Sequence, residues 1–268
     1  MDTQQPTPPP PQAVHLYQFR VSHYNEKVRW ALDHKGWAHR RTSLIPGWHM
    51  LRARWLCGQE QLPILVLDER VLAGSSHILA EIERLRPTPP LYPENPAEHA
   101  RALAIQAFFD EQVAPDLRRL FWWTYLDRPQ DCARMATDGF SGATCAVWRA
   151  CLPVMRPLIR RNMGLDIEGA RQRLRGYFDR LANEIGASGY LVGNRFGVAD
   201  LSAAAVMTAI IRPPEFSYPL PEPWPPGLVA LRASLAGHEA FGWVLDIYRR
   251  HRGPSSEIVA ASGKSLHY

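Results

Sequence analysis

The chain has only four cysteines, and their spacing fits neither a metal site nor a disulfide framework. Cys57, Cys132, Cys145 and Cys151 form no C-x-x-C pair and no Cys/His ligand pattern. A zinc-binding module and a small disulfide-stapled secreted scaffold are therefore excluded. We expect free, mostly structural thiols and no metal.

Long hydrophobic runs and a secretion signal are also missing. The longest apolar stretch, residues 201–211, is well short of the ~20 residues needed to cross a bilayer, and it contains Ser202 and Thr208. Residues 1–12 are polar and proline-rich, without the basic and apolar regions of a signal peptide. These absences predict a cytoplasmic protein with no membrane span.

The chain carries only a small excess of positive charge. Lys and Arg number 31 against 26 Asp and Glu, a formal net charge of +5, and the cations occur in short groups with acids near most of them. This pattern predicts solvated helix faces rather than a nucleic-acid-binding surface. With 46% hydrophobic residues, the chain of 268 residues has enough apolar material for a core, which excludes a wholly disordered protein.

A first, mixed domain is predicted after a disordered proline-rich tail over residues 1–12. Over residues 13–86 the hydrophobic pattern changes period several times, which predicts the element order βαβαββα. The signals are strands near 14–19 and 40–44, a hairpin over 63–73, and helices that begin near Tyr24 and at Ser75.

A second, all-helical domain is predicted after a connector. Residues 87–96 contain five prolines and no periodic pattern, which indicates an extended linker. Residues 97–252 show helical periodicity without a convincing strand. Within them, residues 126–166 are open between loop and a helix interrupted by two prolines. The fold class is therefore α+β with two domains, and residues 253–268 are expected to form a frayed tail.

Three short motifs follow one another in the first domain: residues 22–32 (SHYNEKVRWAL), 61–63 (QLP) and 75–82 (SSHILAEI). They are similar to a Ser-Pro-aromatic turn before a Lys-Val-Arg helix, to a strand that starts with a cis-proline, and to an acid-Ser-x-x-Ile helix start. In this order the chain resembles the cytosolic glutathione S-transferase superfamily, of the bacterial type with serine at the N-terminal active-site position. The resemblance covers residues 14–250 and implies a thioredoxin-like first domain, with glutathione as co-substrate.

Ser22 is the candidate catalytic residue. It lies between a strand end and a helix start, where free N–H groups and the helix dipole favour an anion. The thiolate of glutathione is such an anion and is the competent nucleophile; the alternative is an ordinary N-cap serine. Because Ser22 and Asn25 stand where a redox motif has its cysteines, thiol–disulfide exchange is not expected. His23 stands where the family often has proline.

Leu62 and Pro63 are candidate glutathione-binding residues. A cis bond before Pro63 would turn the Leu62 backbone outward, where it can pair with a bound peptide as an added strand. The alternative is a trans proline that starts an edge strand. The resemblance implies that Leu62 holds the cysteinyl part of glutathione, with Gln61 and His49 as weaker candidates for the peptide backbone and the glycyl carboxylate.

Ser75 and Ser76 open a helix, so their hydroxyl and N–H groups suit the γ-glutamyl carboxylate. Ser75 stands where the family has an acid, which removes a charge partner of the γ-glutamyl ammonium. Asp110 is the candidate that would supply this charge, within the chain or across a dimer interface, as resemblance to several classes allows.

The second domain offers one folding motif and one candidate pocket wall. Residues 193–200 resemble a helix-capping segment in which Asp200 reaches back to the N-cap backbone. Gly197 replaces Ser or Thr there, so the cap is expected to be weaker by a few tenths of a kcal/mol. Core packing is the alternative for each aromatic of the pocket wall. The candidate second-substrate residues are Tyr24, Arg118, Phe121, Trp122 and Tyr125.

The leading functional hypothesis is a glutathione transferase whose thiolate attacks an apolar electrophile between the two domains. A first alternative is a non-catalytic protein of the same fold that binds a ligand or docks onto another protein. A second is a glutathione-dependent dehalogenase or etherase, which shares the thiolate step. The resemblance also implies a homodimer.

Overall fold

The computed structural model describes residues 13–164 and 166–259. The predicted tail over residues 1–12 and the last part of the tail predicted over 253–268 lie outside the described residues. The described part confirms the α+β architecture, with a thioredoxin-like first domain and an all-helical second domain. Among the described helices, none is long and apolar enough to cross a membrane.

A four-stranded sheet forms the centre of the first domain. Its spatial order is β2-β1-β3-β4; β1 is parallel to β2 and antiparallel to β3, and β3 is antiparallel to β4. Helices cover both faces, which explains why Leu16, Ile64 and Leu65 are fully buried. The strands are β1 (Val14–Gln18), β2 (Arg40–Ser43), β3 (Ile64–Leu67) and β4 (Arg70–Ala73).

Three helices pack on this sheet. Helices α1 (His23–His34) and α3 (Ser75–Leu85) contact each other and share the large core with the second domain. Helix α2 (His49–Cys57) packs on the opposite face, over a smaller cluster that includes Tyr17 and Leu62. Because β1 and β4 run in the same direction and are followed by α1 and α3, these two helices begin at the same end of the sheet.

In its described residues the second domain contains eight α-helices, of which α9 is the centre. Every residue of α9 is buried, and it contacts α1 of the first domain as well as four α-helices of its own domain. A five-residue π-helical turn, Phe109–Val113, joins α4 to α5. The helices are α4 (Pro96–Phe108), α5 (Ala114–Leu126), α6 (Pro129–Ala136), α7 (Gly142–Met163), α8 (Ile167–Glu184), α9 (Val198–Ile211), α10 (Pro226–Leu235) and α11 (Glu239–His251).

Two regions differ from the sequence-based expectation. The region left open between loop and interrupted helix contains α6 and the 22-residue α7, which continues through Pro153 and Pro157. The expected frayed end after Gly253 includes an ordered piece: Ser256 accepts from the His39 N–H, and the Ile258 N–H donates to the His39 carbonyl oxygen. This piece lies against the first domain because it pairs with backbone beside β2.

The cap of α9 combines an expected and an unexpected contact. The Asp200 carboxylate accepts from the Gly197 N–H at 2.9 Å, as the capping motif predicted, and from the Leu191 N–H at 2.8 Å. The Leu91 carbonyl oxygen accepts from the Val198 N–H at 2.7 Å. A Cβ on Gly197 would lie 2.9 Å from that oxygen. The linker backbone therefore occupies the space that a serine or threonine side chain would need.

Candidate active site

A cavity of about 800 Å³ lies between the two domains. From the first domain it is bounded by the β1–α1 turn, residues 46–50, residues 60–63 and the start of α3. From the second it is bounded by the π-helical turn, α5 and α7. With Tyr125 as the exception, every site residue predicted from the sequence lines this cavity.

Ser22 is the N-cap residue of α1. Its backbone is extended, with φ −80° and ψ 128°, and its side-chain oxygen accepts from the Asn25 N–H at 3.5 Å. The Glu26 N–H donates to the Ser22 carbonyl oxygen at 3.0 Å, which is the first bond of the helix. The half-buried Ser22 hydroxyl thus faces the cavity at the positive end of α1.

Arg29 holds the turn that carries Ser22. Its guanidinium is fully buried and donates to the carbonyl oxygens of Phe19 and Arg20, each at 3.1 Å. A third bond at 2.8 Å reaches the buried Glu26 carboxylate, which is also paired with Arg252 of the second domain. The sequence places Arg29 in a motif but does not predict this role, because its backbone partners lie in the preceding loop, nine and ten residues earlier in the chain.

The other two residues of this turn have separate environments. The Tyr24 hydroxyl donates to the Asp110 carbonyl oxygen at 2.9 Å, and burial raises the pKa of Tyr24 to about 12. Burial, followed by the charges of Arg118 and Lys27, lowers the pKa of His23 to about 3, so its ring is neutral. His23 is only 5% exposed, and its Nε2 has no hydrogen-bond partner among residues 13–164 and 166–259.

The start of β3 offers unpaired backbone to the cavity. The Leu62–Pro63 peptide bond is cis, as the resemblance implied. The described part of the chain supplies no hydrogen bond to the Leu62 backbone, although Leu62 lines the cavity. Gln61 is exposed beside it. His49 lies at the start of α2, where its Nδ1 accepts from the Gly47 N–H at 3.1 Å and burial lowers its pKa.

The N-terminus of α3 lies beside a three-residue polar cluster. The first helical bond runs from the Ile78 N–H to the Gly74 carbonyl oxygen, so the N–H groups of Ser75 and Ser76 precede it. The Ser76 hydroxyl donates to Asp110 Oδ2 at 2.6 Å. Lys27 Nζ donates to both carboxylate oxygens of Asp110, each at 2.6 Å.

This cluster shows the position of Asp110, and it includes Lys27, which the sequence did not identify as a site residue. Asp110 reaches Ser76 of its own chain, so no second subunit is needed to bring it to this site. The Lys27 side chain is fully buried, and burial lowers the pKa of its amine while Asp110 opposes that effect. Because the pairing joins residues in different domains, spacing in the sequence carries no signal for it.

The far side of the cavity is largely apolar. Arg118, Phe121 and Trp122 line it from α5, and α7 contributes side chains that sequence reasoning missed because it left this region open. The Trp148 Nε1–H donates to the Pro46 carbonyl oxygen at 2.9 Å, which ties α7 to the first domain. The missed lining residues of α7 are Trp148, Met155, Leu158, Ile159, Asn162 and Met163.

Tyr125 does not belong to this wall. It is 1% exposed, packs on Phe121 with ring centroids 5.0 Å apart, and has its pKa raised to about 12 by burial. Tyr125 lies one turn beyond Phe121 on the same side of α5, where it is surrounded by core side chains and lies outside the cavity lining. The structure therefore supports core packing for Tyr125 rather than a place in the pocket wall.

Comparison with known families gives two matches in the order of the domains. Residues 16–90 match the glutathione S-transferase N-terminal domain, and residues 153–226 match the glutathione S-transferase C-terminal domain. The protein is therefore a two-domain member of the glutathione S-transferase fold. The chain belongs to the cytosolic glutathione S-transferase superfamily. A search among curated protein sequences finds no match.

Solved structures with the same fold include proteins from three bacteria. FzlA from C. crescentus is 19% identical with a TM-score of 0.55, and the match covers 94% of this chain and 98% of FzlA. Beta-etherase LigF from Sphingobium sp. strain SYK-6 is 17% identical with a TM-score of 0.57, covering 87% and 99%. The theta class glutathione S-transferase from Xanthomonas axonopodis pv. citri, solved with glutathione bound, is 22% identical with a TM-score of 0.51, covering 92% and 99%.

Proposed function

We propose that this protein is a glutathione transferase in which Ser22 stabilises the thiolate of bound glutathione. The observation that supports this most is the placement of three features in one cavity: the Ser22 hydroxyl at the start of α1, the unpaired Leu62 backbone and the N-terminus of α3. They match a nucleophilic sulfur, a peptide backbone and a carboxylate, which are the parts of a glutathione molecule.

Each part of the site has one task in this proposal. The Leu62 N–H and carbonyl groups pair with the cysteinyl backbone, with Gln61 beside them, and the α3 N-terminus with Ser75 and Ser76 takes the γ-glutamyl carboxylate. His49 remains a proposal for the glycyl carboxylate. Asp110 is the proposed acceptor for the γ-glutamyl ammonium, but Lys27 and Ser76 already use its oxygens.

The reaction needs the thiol proton to leave and the sulfur anion to be stabilised. Glutathione supplies the sulfur nucleophile. The Ser22 hydroxyl donates a hydrogen bond to that sulfur, and the positive end of α1 adds to the stabilisation. A carbon–sulfur bond then forms as the electrophile either accepts the electron pair or releases a leaving group with its bonding pair. The apolar wall of α5 and α7 holds the electrophile.

Calorimetric titration with reduced glutathione, combined with steady-state turnover of an aryl halide, tests this proposal. We expect Ser22→Ala to lower kcat/KM by about 10- to 100-fold, since a hydrogen bond to a charged group contributes about 1.5–3 kcal/mol. The apparent pKa of the bound thiol should rise in the same variant. Ser234→Ala is the matched control, because this exposed serine of α10 does not line the cavity and its hydroxyl donates to the Leu231 carbonyl oxygen. Unchanged turnover in Ser22→Ala would remove Ser22 from the mechanism.

A non-catalytic ligand-binding or docking protein is the second candidate. It is favoured by Ser75 in place of the family's acid and by Lys27, which neutralises Asp110 next to that position. Saturable glutathione binding that weakens in Ser76→Ala supports the enzyme; absence of binding at millimolar glutathione supports the second candidate. Product identification separates transfer to an electrophile from dehalogenation or ether cleavage, which share the thiolate step.

We further propose a cytosolic homodimer, on the basis of membership in the superfamily. Sedimentation of the purified protein tests the dimer, and a monomer at all concentrations would refute it. The placement of Asp110 beside Ser76 of the same chain means that the site is expected to bind glutathione whether or not the subunits associate.

A further inference from the structure

Arg118 is a cation at the cavity wall that has no partner in the part of the chain that the structure describes. It lies on α5, is exposed and lines the cavity, and within residues 13–164 and 166–259 no carboxylate or other group pairs with it. Its neighbour Arg119 shows the contrast, since it donates to the Met163 carbonyl oxygen at 2.6 Å and pairs with Asp116 at 2.5 Å. A guanidinium left open toward a cavity is available to an anionic ligand.

A second polar group in the same cavity is also unpaired. His23 Nε2 lacks a partner in the described part of the chain, and its neutral ring is almost fully buried. Burying a polar group without a hydrogen bond is costly, so such groups are partnered in most proteins or reserved for a ligand. Arg118 is the largest single charge acting on His23, and both side chains line the same cavity.

The position of Arg118 assigns it to the acceptor half of the cavity. Asp110, at the proposed γ-glutamyl end, lies eight residues earlier along the joined helices, which corresponds to about 12 Å at ~1.5 Å per residue. Phe121 and Trp122 follow Arg118 by three and four residues, so all three share one face of α5. Across from them, Met155 and Ile159 of α7 complete an apolar surface.

We propose that the second substrate is an electrophile with an apolar, aromatic body that carries an anionic group, such as a carboxylate or sulfonate, and that Arg118 binds this anion with the His23 imidazole as a hydrogen-bonding partner. The proposal rests on the proposed transferase function for the reaction, but not for the binding step. Phe121, Trp122 and Met155 contact the body of the acceptor, while Arg118 fixes its orientation relative to the Ser22 side of the cavity.

A binding experiment tests the anion preference without glutathione. The probes are 8-anilinonaphthalene-1-sulfonate and N-phenyl-1-naphthylamine, which share their aromatic body and differ by the sulfonate, titrated by fluorescence. We expect Arg118→Gln to raise the Kd of the sulfonate by about 10-fold or more and to leave that of the neutral amine unchanged, since bonds between charged groups are the strong ones. Arg175→Gln is the charge-matched control, because Arg175 is exposed on α8 away from the cavity.

Equal weakening of both probes in Arg118→Gln would show a packing role and overturn the proposal. An unchanged Kd of the sulfonate in Arg118→Gln would overturn it as well. Weakening of the sulfonate to the same extent in Arg175→Gln would also overturn it, because general charge would then explain the effect. Recovery of sulfonate binding in Arg118→Lys, where the charge is restored, is the expected result for ion pairing.

A turnover experiment tests the same preference in the reaction. The acceptors are 4-chloro-3,5-dinitrobenzoate and its methyl ester; the sulfur bonds to ring carbon 4, chloride leaves with the bonding pair, and the thiol proton passes to solvent. Relative to the uncatalysed rates, Arg118→Gln should lower kcat/KM about 10-fold for the acid only. An equal fall for both acceptors would place Arg118 at the thiolate and overturn the proposal. No turnover with either acceptor, together with Arg118-dependent sulfonate binding, would refute the transferase function and leave the anion site supported.

Discussion

The Lys27–Asp110 pair gives a stability prediction with an unusual asymmetry. The Lys27 side chain is fully buried, whereas Asp110 is 13% exposed and lies at the cavity. Removing one partner of a buried ion pair is costly mainly because the other charge stays buried without compensation. Asp110→Asn strands the Lys27 ammonium in the core, whereas Lys27→Met leaves a carboxylate that still has the Ser76 hydroxyl and access to water.

The expected magnitudes follow from that difference. A stranded buried charge costs about 3–5 kcal/mol, and because Asp110 is partly exposed we expect the lower end, about 3 kcal/mol, for Asp110→Asn. This corresponds to roughly 100-fold in the folding equilibrium and to a fall in Tm of about 6–12 °C for a chain of this size. Lys27→Met should cost about 1 kcal/mol or less, since the methionine fills the lysine's space with apolar atoms.

Urea unfolding of both single variants and the double variant measures these costs as a double-mutant cycle. The double variant should be close to Lys27→Met alone, because no unpaired lysine remains. Asp127→Asn is a surface control: Asp127 is 52% exposed between Arg156 and Arg160, so its loss should cost less than about 1 kcal/mol. The reasoning is refuted if Lys27→Met proves the more costly single change, or if Asp110→Asn matches the surface control.

Two further predictions concern a cap and a buried imidazole. Gly197→Ser should destabilise the protein by about 1–3 kcal/mol in urea unfolding, because its Cβ would lie 2.9 Å from the Leu91 carbonyl oxygen. Gly237→Ser is the control and should not destabilise the protein, because a Cβ at Gly237 meets open space. An increase in stability in Gly197→Ser would contradict the close contact. The pKa of His23 is lowered to about 3 from about 6.5 in the unfolded chain, so stability is lost as pH falls from about 6.5 towards 3. Between pH 7.5 and 4.5 the wild type should lose roughly 2–3 kcal/mol more than His23→Gln, and equal losses would mean that His23 is protonated in the fold.

Local features of the sequence were sufficient to predict the first domain. Short apolar runs and turn residues give β1 to β4 the right positions, and Ser22 follows a strand and precedes a helical pattern, which is the arrangement of an N-cap. These signals depend on a few neighbouring residues, so they can be recognised without knowing which distant segments pack against them. The candidate site residues of the first domain, all of which line the cavity, were therefore found from local pattern and resemblance.

Contacts between distant segments were beyond the same reasoning. Lys27 and Asp110 are 83 residues apart, and the π-helical turn that carries Asp110 shifts the phase of α5 relative to α4. Helix α7 continues through two prolines, each of which removes an intrahelical bond, while the buried Trp148 anchors it to the first domain. Tertiary packing thus overrides local propensity in the wall of the cavity, where sequence reasoning assigned Tyr125 and missed Met155.

In the proposed binding mode, the polar cluster at α3 also affects how glutathione binds at its γ-glutamyl end. The carboxylate of that group would meet free N–H groups at the start of α3, which favour an anion, but its ammonium needs an acceptor. Both Asp110 oxygens already receive bonds from Lys27, so an incoming ammonium would approach a like charge as well as a carboxylate. We therefore expect glutathione recognition in the proposed mode to depend more on the Leu62 backbone and the α3 N-terminus than on charge pairing with an acid. Calorimetric affinity that depends weakly on salt would agree with this distribution of contacts, because backbone hydrogen bonds are screened less than exposed ion pairs.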